Sequence, residues 1–75
     1  MQSIQIKRIV EARKRKGISQ RQIAQLLNTT QQQISKYEKE LQELPLRHFI
    51  EIGTFLNLSL DYLAGINNIE KPPKK

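Results

Sequence analysis

The sequence predicts an all-α fold, a compact bundle of five short helices. Three observations carry that prediction. Apolar residues recur at helical spacing along the chain, with almost no period-two alternation of the kind a half-buried strand needs. Side chains that cap helix starts, Ser19, Thr30 and Ser59, stand just ahead of the apolar stripes. Residues that tolerate left-handed backbone, Gly17, Asn28, Asn57 and Gly65, stand where those stripes end. The 75 residues suffice for one small domain and not for two.

Taken in order, Ile6, Ile9, Val10 and Arg13 share one face of a first helix, which Gly17 ends with Ile18 next in the chain. Ser19-Gln20-Arg21-Gln22 matches a capping box, with Ser19 as N-cap and Gln22 three positions on. Ile23, Leu26 and Leu27 mark the buried stripe of the second helix it opens. Thr30-Gln31-Gln32-Gln33 has the same form and opens a third helix, with Ile34, Tyr37 and Leu41 expected inward and the Gln33 amide expected in the box. Pro45 suits the first turn of a fourth helix, whose Phe49, Ile52, Phe55 and Leu56 are expected to face the core. Ser59 caps a last short helix, SLDYLA, with Asp61 in the first turn, where the helix dipole favours an anion. Residues 1–66 form the domain on this reading. Residues 67–75, NNIEKPPKK, read as a disordered basic tail, because Pro72 and Pro73 block a helix and Lys71, Lys74 and Lys75 repel one another.

Thirteen Lys and Arg against seven Asp and Glu leave a net charge of +6, so a large partner is expected to be anionic. With no cysteine, disulfide scaffolds and thiolate metal sites are excluded. No apolar stretch approaches membrane-spanning length, and MQSIQIKR lacks the apolar core of a secretory signal, so the expected location is the cytoplasm. His48 is the single histidine and reads as a partly exposed helix residue, not a ligand or a base. Tyr37 and Tyr62 read as packing residues with surface hydroxyls. Glu51 and Asp61 stand apart and form no acid–base pair. Without a glycine-rich phosphate loop either, the chain has no candidate catalytic residue, metal site or cofactor, and an enzyme is not expected.

Only Asn28 and Thr29 separate the second helix from the third. So tight a reversal needs one residue at positive φ, and asparagine is among the best substitutes for glycine there. Asn28 stands at that place, after Gln20 and small Ala24 and ahead of Ile34. With those residues in view, ISQRQIAQLLNTTQQQISKYEKE resembles the helix-turn-helix of the Cro and lambda-repressor type, also called the xenobiotic-response-element family of transcriptional regulators. NLSLDYLAG resembles the short fifth helix that closes such domains, and TTQQ resembles the recognition helix of lambdoid phage repressors. The match covers roughly residues 4 to 65.

The stretch NTTQQQISK places three neutral amides side by side in the middle of the chain. At about 100° per residue, Ile34, Tyr37, Glu38 and Leu41 fall on one side of the third helix. Gln32, Ser35, Lys36 and Lys39 fall on the other, with Gln31 at the N-terminal edge. A glutamine amide matches adenine N6 and N7, and lysine matches guanine O6 and N7, so this face suits a DNA major groove. The resemblance implies that Gln31, Gln32 and Lys36 point at base edges, with Ser35 on the same face. Thr30 and Gln20, at helix starts, are expected near phosphate. A merely solvated polar face is the alternative.

Arg13 and Glu38 occupy positions that would otherwise face the core, and the resemblance implies that they pair across the first and third helices as a structural ion pair. Arg13-Lys14-Arg15-Lys16 complements the dipole of the first helix and adds nonspecific phosphate attraction. Arg21, Lys39 and Arg47 flank the reading face and are expected at phosphates. The chain departs from the family pattern after the third helix. Glu40 stands where glycine is usual, with one extra residue, so either the helix runs longer or the loop lifts away from DNA.

Leu60, Leu63, Ile66 and Ile69 form more apolar surface than one short helix needs. In related domains this region makes a two-fold contact, and two reading heads about 34 Å apart suit a palindromic site. The sequence therefore predicts a sequence-specific DNA-binding regulator, a repressor acting as a homodimer on double-stranded DNA. A regulatory protein partner is compatible with it. Two rivals stand beside this reading: an antitoxin-like or adaptor module that acts through protein contacts, and a nonspecific nucleic-acid binder driven by its lysines.

Overall fold

The computed structural model describes residues 3–72, which form α1 (Ser3–Arg15), α2 (Gln20–Leu26), α3 (Gln31–Glu38), α4 (Leu46–Phe55) and α5 (Leu60–Leu63). Among the described residues there is no strand. All five helices end in one way. The residue two beyond the last helical one takes a positive φ: Gly17 at 72°, Asn28 at 56°, Glu40 at 59°, Asn57 at 56° and Gly65 at 84°. The next amide then reaches back to an otherwise unpaired carbonyl, as in Ile18 N–H to Arg13 O at 3.0 Å and Thr29 N–H to Ala24 O at 2.9 Å. This reversal satisfies the last carbonyls and turns the chain within two residues. It explains how five helices fit into so short a chain.

The third of these ends fixes the path of the chain beyond α3. The helix does not run longer: Glu40 N–H bonds Tyr37 O at 3.1 Å and Leu41 N–H bonds Lys36 O at 2.9 Å. Glu40 adopts the left-handed conformation that glycine takes more cheaply, at a cost of about 1 kcal/mol. Leu41 consequently lies past the helix and is 70% exposed, contrary to its expected inward position. Leu44 is buried in its place, at the end of the loop.

The core joins Ile6, Ile9 and Ala12 of α1 to Ile23, Ala24, Leu27, Ile34, Phe49, Ile52 and Leu56, with Leu58 and Leu63 closing it. Val10, Leu26 and Tyr37 pack at its edge. Phe55, expected inward, is 47% exposed. The buried stripe of α4 runs through Phe49, Ile52, Gly53 and Leu56, and Phe55 falls about 100° away from it. Pro45 is the N-cap of α4, one residue outside the expected first turn. Gly53 permits the close approach of α5. A Cβ there would lie 2.6 Å from Leu63 Cδ1 and 3.3 Å from Leu60 Cδ2. Leu63 is wholly buried in this contact.

The segment expected to be disordered from residue 67 is instead held against α1 as far as Glu70. Arg8 donates to Asn67 O at 2.8 Å, to Asn68 Oδ1 at 2.9 Å and to Tyr62 O, and its guanidinium lies 4.3 Å from the Tyr62 ring centroid. Ser59 N–H donates to Glu70 O at 2.7 Å, and Arg15 pairs with the Glu70 carboxylate. Lysines and prolines fill residues 71–75, whereas Asn67, Asn68 and Glu70 supply polar partners to two arginines of α1. Residues 73–75 of the expected tail lie outside the described residues.

Candidate nucleic-acid interface

Side-chain caps close the starts of both α2 and α3. Ser19 Oγ accepts from Gln22 N–H at 3.0 Å, and Gln22 Oε1 accepts from Ser19 N–H at 2.8 Å, a complete capping box. Thr30 Oγ1 accepts from Gln33 N–H at 3.1 Å. The second half of that box is not formed, because the Gln33 amide donates to Gln42 of the α3–α4 loop instead. Asn28 makes the reversal between the two helices with φ 56°.

Ile34 anchors α3 in the core, with Tyr37 half-buried beside it. The other face looks outward: Gln31, Gln32 and Lys36 are exposed, and Ser35 and Gln33 are half-buried. Lys39, at the C-cap, is exposed, as are Thr30, Arg21 and Arg47. Ser19, Arg21 and Gln31 line an open polar cleft between the starts of α2 and α3. The face thus presents amides and a cation, edged by further cations.

A polar chain runs from the core to this face. Arg13 grips Glu38 side-on, Nε to Oε2 at 2.7 Å and Nη2 to Oε1 at 2.9 Å, and donates from Nη1 to Ile18 O at 2.9 Å. The two side chains are only 9% and 12% exposed. Glu38 Oε1 also accepts from Gln20 Nε2 at 2.9 Å, and Gln20 Oε1 accepts from Gln31 Nε2 at 3.4 Å. Gln20 is therefore half-buried with its amide directed along the protein surface, not held out alone toward solvent. Sequence reasoning missed both this connection and the Gln33–Gln42 pair. Both depend on side-chain direction across a turn, which spacing alone does not specify.

Leu60 and Ile66 are exposed, at 44% and 72%, as is Ile69. Leu63 drops out of the expected interface because it fills the core. His48 is half-buried, with Nδ1 enclosed and lacking a hydrogen-bond partner among the described residues. Among those residues no three His, Cys, Asp or Glu come together in a group that could hold a metal ion. Among the described residues no helix is long and apolar enough to cross a membrane.

Two helices joined by a reversal at Asn28, the second anchored by Ile34 and presenting a polar face, define a helix-turn-helix protein. A family model described as helix-turn-helix matches residues 9–63. The chain is 33% identical over 67 residues to an uncharacterised HTH-type transcriptional regulator of Rickettsia conorii, covering 88% of this chain and 54% of that protein. It is 31% identical over 65 residues to the HTH-type transcriptional regulator ImmR of Bacillus subtilis, covering 87% and 51%. The chain spans about half the length of the curated relatives it matches. No solved structure matches it. The chain belongs to the Cro and lambda-repressor type helix-turn-helix family of transcriptional regulators.

Proposed function

We propose that the chain is a sequence-specific DNA-binding regulator of transcription in the cytoplasm, acting as a repressor by occupying a palindromic operator as a dimer. The observation that carries this reading is the outward face of α3, where Gln31, Gln32 and Lys36 are exposed while Ile34 fixes the helix from behind. Gln31 and Gln32 read adenines, Lys36 reads guanine and Ser35 adds a hydroxyl on the same face. Thr30, Arg21, Lys39 and Arg47 meet phosphates on either side, with Gln20 at the start of α2. These contacts position the helix without carrying sequence information. The net charge of +6 adds the salt-dependent attraction that any duplex supplies. The exposed Leu60 and Ile66 form the two-fold contact, without Leu63, and hold two reading heads about 34 Å apart.

Replacing Gln31 and Gln32 together by alanine tests the reading. Binding to a site selected from a random pool should fall by about 1–3 kcal/mol per lost bidentate contact, with binding to random DNA nearly unchanged. An adaptor or antitoxin-like module would show no change in either. A nonspecific binder would select no site at all. A two-fold symmetric consensus supports the dimer, and a single half-site rules it out.

A further inference from the structure

We propose that Leu41 is a specificity-determining residue, an apolar contact for the C5-methyl group of a thymine beside the base that Lys36 reads. The inference rests on the proposed reading of DNA by α3 and adds to it a residue from beyond the helix. It starts from the turn that ends all five helices. In each, the amide after the positive-φ residue donates to a carbonyl five residues back: Ile18 to Arg13, Thr29 to Ala24, Leu41 to Lys36, Leu58 to Gly53 and Ile66 to Asp61. Such a bond lays the donating residue against the last turns of its own helix, beside the residue that accepts. Arg13, Ala24 and Gly53 are buried, and Ile18, Thr29 and Leu58 are half-buried or buried with them. Lys36 and Asp61 are exposed, and Leu41 and Ile66 are exposed with them, at 70% and 72%. The turn therefore carries Leu41 to the face of α3 to which Lys36 belongs.

Two further observations say what chemistry that position serves. Residues 40–46 hold Glu40 and Glu43 and no lysine or arginine, so the stretch has no cation with which to grip phosphate. Gln42, the next residue, accepts from the Gln33 amide, so the loop runs back alongside α3 in step with the helix. Leu41 is thus a large apolar side chain held at the edge of a face shaped for the major groove. Among the base edges in that groove, the thymine methyl is the apolar partner. Covering it takes apolar surface of both groups out of water, and burying one methyl-sized group is worth about fourfold in affinity. Lys36 and Leu41 would then read neighbouring base pairs, one by charge and one by shape.

Deoxyuridine differs from thymidine only in lacking that methyl and pairs with adenine in the same way. A site is selected from a random duplex pool with the unaltered chain, and each of its thymines is then replaced in turn by deoxyuridine. One replacement per half-site, beside the base pair whose preference Lys36→Ala abolishes, should weaken binding about fourfold. With Leu41→Ala that loss should vanish, while the preferences set by Gln31 and Gln32 stay as they were. A loss that persists in full with L41A assigns the methyl to another residue and overturns the inference. A site in which no such replacement weakens binding also overturns it. So does an L41A chain weaker for every sequence by one factor, since Leu41 would then serve the backbone or the dimer. Each of these leaves the reading of DNA by α3 intact, whereas no selected site with the unaltered chain overturns both. Thermal unfolding checks that L41A folds, and Leu41→Gln takes its place if it does not. Failure of both to fold would show that Leu41 is not the free surface residue the inference requires.

Discussion

Arg13 and Arg15 stand two residues apart on α1 and each meets a glutamate, yet the two pairs differ in kind. Arg13 and Glu38 are 9% and 12% exposed, whereas Arg15 and Glu70 are 51% and 34% exposed. Two residues apart on a helix is about 200° of rotation, so the arginines grip opposite sides of the molecule. Arg13 faces α3 and the polar chain to the reading face. Arg15 faces the segment after α5. On one side water is excluded and both oxygens of the carboxylate are engaged. On the other the charges stay solvated. The same two residue types therefore build a rigid joint in one place and a loose fastening in the other.

The largest expected effect breaks the joint. Arg13→Ala leaves Glu38 enclosed without its cation and should cost about 3–5 kcal/mol of stability, measured by urea unfolding. Replacing both partners together, as Arg13→Met with Glu38→Leu, should cost far less, because no charge is then left stranded. A single and a double variant of equal stability would mean that the pair is not enclosed as its geometry indicates.

A smaller effect is expected at Arg8, which belongs to the second side. Its three hydrogen bonds and its stacking on Tyr62 are half-exposed, so Arg8→Ala should cost about 1–2 kcal/mol. Exchange of the Ser59 amide reports on the same clasp, since that amide donates to Glu70. Faster exchange at Ser59, with the amides of α3 unchanged, is the expected pattern. Equal acceleration in α3 would tie the two sides of α1 together and dissolve the contrast.

The same contrast marks how far the sequence could be read. On the α2–α3 side, local rules act over a few residues. Ser19 caps with Gln22, Asn28 turns the chain, and Ile34 alternates with outward amides at helical spacing, so the architecture emerges from pattern. Leu41 and Phe55 look inward-facing by pattern because they sit near an apolar stripe, but the left-handed Glu40 ends α3 before Leu41 is reached. Leu44 and Leu58 are buried from loops, where no periodicity announces them. The clasp of residues 67–70 was illegible for another reason. Its two arginine partners lie more than fifty residues away, and the lysines and prolines that follow at 71–75 set the character of the tail as a whole. The direction of the Gln20 amide is likewise a long-range fact, decided by Glu38 across the turn.

The smallest expected effect concerns Arg15 itself. Half of its side chain is exposed, and the Ser59 amide and Arg8 hold the segment independently of it. Exposed pairs contribute about 0–1 kcal/mol, since each long side chain gives up freedom for a bond that water and salt weaken. Arg15→Ala should therefore change stability by less than about 1 kcal/mol. The difference should shrink further as salt rises and the screening length falls from about 10 Å at 0.1 M to about 3 Å at 1 M. Thermal unfolding of both chains across that range measures it. A loss near that of Arg13→Ala, insensitive to salt, would place Arg15 and Glu70 in an enclosed joint like the one on the other side of α1, and the asymmetry of the helix would be gone.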